Sequence, residues 1–126
     1  MSMFDGFKAF NFEEGVPYVS VTRNGVTFNR AVIMKLGFPA HIQLLINDNT
    51  KQIAVLPCTE DAPNATQFYK EKSNNVISVR YNGRDFLNTI KGMMGWNLDV
   101  DSFKIEGTHI KEENAMLFDF KAATTF

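Results

Sequence analysis

Two stretches of the chain, Tyr18-Val-Ser-Val-Thr22 and Val76-Ile-Ser-Val-Arg80, alternate apolar and polar residues with the two-residue period of a strand that buries one face. Each is followed by Asn-Gly, at Asn24-Gly25 and at Asn82-Gly83. That dipeptide tolerates the positive φ of a two-residue turn, so a hairpin or sharp bend is predicted at both places. After the first turn Val26-Thr-Phe28 make a short apolar step, and the period then lengthens. Val32, Ile33 and Leu36 are spaced to face inward from a helix over residues 30–36, with Asn29 as its N-cap and Gly37 as its stop. The second copy predicts a helix over residues 85–94, with Phe86, Ile90 and Met93 or Met94 on one side and Gly95 as its stop. Gly92 inside it costs about 1 kcal/mol relative to Ala. Each half ends in two apolar runs about a polar turn, which read as hairpins: residues 41–46 with 52–56, and residues 102–106 with 115–120.

Shifting the chain by 58 positions lays residues 19–38 over 77–96. Ser20, Val21, Asn24, Gly25, Phe28 and Gly37 then meet identical residues. A unit of this kind cannot cover its own apolar sheet face. The expected fold is therefore α+β, an internally duplicated strand-turn-helix-hairpin unit forming one pseudo-twofold barrel or sandwich. The expected organisation is a single domain, residues 1–126, made of repeats 16–57 and 76–120 joined by a linker, residues 58–75. Within that linker Asn64 and Gln67 have the spacing of a capping box and predict a short helix over residues 65–72.

Composition narrows the class. With 126 residues, 44% hydrophobic and 21% charged, the chain is long and apolar enough to bury its own core. The single cysteine, Cys58, leaves no intramolecular disulfide and no thiolate metal cluster, which points to a reducing cytoplasm of bacterial style. The opening residues hold no apolar run long enough for a signal peptide or a membrane span, so no membrane partner is expected. Net charge is −1, but residues 16–57 set Arg23, Arg30, Lys35 and Lys51 against Asp48 alone, making the first half locally basic.

Catalytic chemistry is hard to assemble. There is no Gly-x-Ser-x-Gly elbow, no phosphate-cradling glycine loop and no His pair at metal spacing, so no enzyme activity, cofactor or metal is expected. His41 and His109 read as ordinary strand and loop histidines. Asn97-x-Asp99-x-Asp101 starts like a calcium loop, but Ser102 replaces the turn glycine and Thr108 the bidentate glutamate. Met93, Met94 and Trp96 read as core. Phe4, Phe7, Phe10 and Phe12 form an apolar stripe that serves either as an arm on the core or as a docking segment for a protein partner.

Arg23, Arg30 and Lys35 in the first repeat, and Arg80, Arg84 and Lys91 in the second, flank the turns and helices of the two copies. A duplicated fold would present them as two related patches, suited to a twofold-symmetric DNA site. The first repeat, Val19-Ser-Val-Thr-Arg-Asn-Gly-Val-Thr-Phe-Asn29 with Arg30-Ala-Val-Ile-Met-Lys-Leu-Gly-Phe38 and the runs Ile42–Asp48 and Ile53–Pro57, resembles the AbrB-like swapped-hairpin domain of bacterial transition-state regulators. Asn29 stands where that family usually has proline. In the family two copies interlock into one barrel that grips DNA, and MraZ-type members carry both on one chain. The resemblance implies double-stranded DNA as partner, with Arg23 and, through the repeat, Arg80 in contact. The function expected is a small, non-enzymatic DNA-binding regulator or architectural protein. The alternative is a protein-interaction module, phage or mobile-element encoded, that uses the Phe-rich segment or a free sheet edge.

Overall fold

The computed structural model describes residues 3–7, 9, 15–72 and 74–126. The first repeat supplies β1 (Tyr18–Thr22), β2 (Gly25–Phe28), α1 (Arg30–Lys35), β3 (His41–Asn47) and β4 (Gln52–Pro57). A two-residue strand, β5 (Thr66–Gln67), lies in the linker. The second repeat supplies β6 (Val79–Tyr81), α2 (Arg84–Met94), β7 (Phe103–Ile110) and β8 (Ala115–Asp119), followed by a 3-10 turn over Phe120–Ala122 and β9 (Thr124–Thr125).

These strands, antiparallel at every pairing, form one curled half-barrel in the order β5-β3-β4-β8-β7-β1-β2-β6, with β9 also against β7. This corrects the expected α+β class and the pseudo-twofold barrel or sandwich. Among the described residues only α2 reaches seven residues, and the sheet stays an open, curled half-barrel.

The reason lies where the two copies stop matching. Val26, buried in β2, has Arg84 as its counterpart, and Thr27 has Asp85. A charged pair cannot occupy a strand that buries one face, so the second Asn-Gly opens no hairpin. Gly83 instead caps α2 at φ −64° and ψ 136°, and Asp85 sits in the first turn, where the helix dipole favours an acid. Left without a hairpin partner of its own, β6 pairs with β2 of the other copy, Phe28 opposite Val79 and Val26 opposite Tyr81.

The first Asn-Gly does make a hairpin, shifted by one residue. Thr22 pairs with Gly25, so Arg23 and Asn24 form the loop and Gly25 opens β2 at φ 149°. A β-carbon at Gly25 would lie 2.8 Å from the Tyr81 carbonyl oxygen, which reserves the position for glycine. The linker differs too. Asn64 takes a left-handed φ of 58° and caps nothing, and Phe68 donates its N–H to the Ala40 carbonyl at 2.7 Å. That bond holds the segment extended and buries the Phe68 ring in the core, so no helix forms there.

Phe28 is the hub of the core. Its ring meets Phe68 at 5.5 Å, Phe118 at 5.8 Å and Tyr81 at 6.0 Å, tying β2, β8, β6 and the linker together. β7 turns the corner of the sheet: residues 103–106 pair with β1, and residues 107–110 pair with β8. Gly107 marks the bend, because a β-carbon there would meet Phe118 Cε1 at 2.8 Å and Met116 Sδ at 2.9 Å. Trp96 stacks on Phe103 at 3.8 Å beside Phe120, so it joins the core as expected. Phe4 and Phe7 touch edge to face at 5.7 Å and are largely exposed, while Phe10 and Phe12 lie outside the described residues.

Candidate functional site

The two strands that end the sheet order, β5 and β6, meet through a side chain. The Tyr81 hydroxyl donates to the Gln67 carbonyl at 2.7 Å where a ladder of backbone bonds would otherwise close a barrel. Burial pushes the Tyr81 phenol up to about 12, so this donor keeps its proton well past neutral pH. The seam leaves a cleft of about 540 Å³, with Ile42 and Leu44 of β3 on one wall and residues 80–86 on the other.

A second, smaller groove of about 260 Å³ adjoins it and shares Asn82 and Arg84. Arg23 reaches this groove from the β1–β2 loop, and Lys91 comes from the last turn of α2, with Asn88 and Asp99 also in the lining. Local structure explains the convergence. Pairing of β2 with β6 sets the first Asn-Gly loop beside the second, and α2 starts directly from the latter. Arg84 and Lys91, seven residues apart, fall on one helix face. Four of the six basic residues singled out in the sequence thus line two connected grooves: Arg23, Arg84 and Lys91 in one, Arg80 and Arg84 in the other. Asp85 and Asp99 are the acids that line them.

The other two stand on α1, away from either lining. Arg30 is exposed and donates from Nε to the Met34 sulfur at 3.2 Å, and Lys35 is half-buried in the last turn. The arrangement is one patch drawn from both repeats, where two equivalent patches were expected.

A further cation, Lys104, was missed by sequence reasoning. Register places Thr124, Lys104, Ser20, Thr27 and Arg80 side by side across β9, β7, β1, β2 and β6. The row lies on the outer face, since the neighbours Val19, Val21, Phe28, Val79 and Ile105 are buried. Arg80 Nε donates to Thr27 Oγ1 at 3.2 Å, and Lys104 Nζ sits 4.2 Å above the Tyr18 ring. Strand spacing puts about 14 Å between the Lys104 and Arg80 backbones. The Ser20–Thr27 step is the local hairpin, while non-local pairing brings Lys104 and Arg80 to its two sides.

The remaining candidates stay apart. His109 Nε2 lies 2.9 Å from Asn114 Oδ1 near the β7–β8 turn, while His41 begins β3. The Asn97 side chain accepts from the Asp99 N–H at 3.1 Å, making a turn. Cys58 is half-buried, and its N–H donates to the His41 carbonyl. Among the described residues no three His, Cys, Asp or Glu side chains cluster as a metal site, and no helix is long and apolar enough to cross a membrane. Compared with known protein families, with curated proteins and with solved structures, the chain finds no match.

Proposed function

We propose that the chain is a non-enzymatic DNA-binding protein, a small regulator or architectural factor, that holds duplex phosphates on the basic rim formed by Arg23, Arg80, Arg84 and Lys91. The observation that carries this reading is the convergence of four cations from both repeats against two acids, in a chain whose net charge is only −1. Guanidinium, ammonium and hydroxyl donors are the groups that contact phosphate oxygens, and the Ser20–Thr27 row beside Arg80 adds hydroxyls. The resemblance of the first repeat to swapped-hairpin DNA-binding domains points the same way.

Fluorescence anisotropy with pooled genomic duplex fragments tests it. Four phosphate contacts predict that log affinity falls with log salt at a slope of about −3.6, and Arg23→Ala should flatten that slope by about 1. Absence of binding at low salt, or unchanged binding by the Arg23→Ala/Arg84→Ala/Lys91→Ala variant, overturns the reading.

A protein-interaction role has its own observation. Beyond Ile42, β3 has no strand on its outer side among the described residues, and Leu45 and Ile46 on that edge are 52% and 39% exposed. Such an edge can accept a partner's strand. Leu45→Lys should then abolish capture of that partner while leaving DNA binding intact.

A further inference from the structure

We infer that the seam cleft binds a small amphipathic monoanion, an apolar molecule carrying one carboxylate. The cleft, about 540 Å³, falls within the roughly 300–1,000 Å³ typical of small-molecule sites. Its lining is mixed in chemistry. Ile42 and Leu44 from one wall and Phe86 from the other are apolar, and Arg80 and Arg84 add cations. An apolar body would cover the apolar side chains while a carboxylate takes a forked pair of hydrogen bonds from a guanidinium.

Charge sets the ligand's valence. The lining holds two guanidiniums and one acid, Asp85, a net single positive charge for an anion to neutralise. The Tyr81 hydroxyl is already committed to Gln67, and Arg80 Nε to Thr27, which leaves the terminal nitrogens of Arg80 and the guanidinium of Arg84 as the cationic donors of the lining. A peptide strand fits less well. At Ile42 the β3 edge is already paired with Thr66 of β5, so the backbone groups that would hold an added strand are taken where the cleft lies.

This site does not depend on DNA binding. Where the DNA reading also holds, the two compete, because Arg80 and Arg84 serve both, and the anion would act as an effector that releases the duplex.

The decisive experiment uses 8-anilinonaphthalene-1-sulfonate, itself an apolar monoanion, as a fluorescent reporter on the whole chain. It should bind saturably at one site, octanoate should displace it, and 1-octanol should do so at least tenfold less well. Arg80→Gln/Arg84→Gln should weaken octanoate at least tenfold, while Arg23→Ala/Lys91→Ala leaves it unchanged and weakens DNA alone. Equal displacement by octanol and octanoate, or full octanoate affinity in a folded Arg80→Gln/Arg84→Gln variant, overturns the inference. Should that variant fail to fold, the octanoate and octanol comparison on the unaltered chain decides. Loss of DNA binding with octanoate intact would remove only the earlier reading.

Discussion

Asn29 shows how much one side chain can hold. Its Oδ1 accepts from the Val32 N–H at 3.3 Å, capping α1, and from the Tyr18 N–H at 3.0 Å, while its Nδ2 donates to the Val16 carbonyl at 2.8 Å. Its own N–H donates to the Tyr18 carbonyl at 3.1 Å. The residue therefore fixes a helix start and a strand start together. Asn29→Ala should cost about 2 kcal/mol, the upper end for a lost cap, read as a lower urea midpoint at unchanged slope. Asn29→Pro should cost more, because proline also removes the backbone donor to Tyr18.

At the scale of elements, what could be read from the sequence was what neighbours in the chain decide. Alternation at Val19 and Val21, the Asn29 cap, and Gly95 at a left-handed φ of 68° ending α2 all agree with the elements observed. The second Asn-Gly misled because the dipeptide permits a turn without requiring a strand after it, and Arg84-Asp85 could not form one. Pairings of β1 with β7, β2 with β6 and β3 with β5 join residues far apart in sequence, so neither the row through Lys104 nor the seam could be foreseen. Four basic residues of the site were legible as types and their grouping was not, since β2 and β6 bring it about.

The seam carries an alkaline signature of its own. The Tyr81 phenol ionises near 12 in the folded chain against an ordinary 10. Above pH 10 the unfolded chain releases that proton first, so this contribution to stability is complete below pH 10 and fades as pH climbs toward 12. Tyr81→Phe removes the bond to Gln67 and should lower neutral-pH stability by about 1 kcal/mol. The variant should also lose less stability than the unaltered chain between pH 10 and 12, which parallel urea titrations would show.

For the whole molecule, the merged sheet predicts a single event on unfolding. β4 of the first repeat pairs with β8 of the second, and Phe28 of the first repeat packs on rings from the second repeat and the linker. Trp96, the sole tryptophan, stacks on Phe103 and reports on the β7 end. Its emission and the far-UV circular dichroism should therefore melt at one midpoint, and two midpoints would mean that the repeats hold separate cores.

The place where the sheet fails to close has a consequence for breathing. Central strands can leave the sheet only by giving up hydrogen-bond ladders on both sides, whereas β5 and β6 are each paired along one side and clasped to one another by a phenol. Solvent deuterium should accordingly reach the amides of Thr66, Gln67 and Tyr81 long before those of Val55 or Ile105. Anything seated between β3 and β6 would slow that exchange, which makes the clasp a built-in gauge of whether the gap is filled.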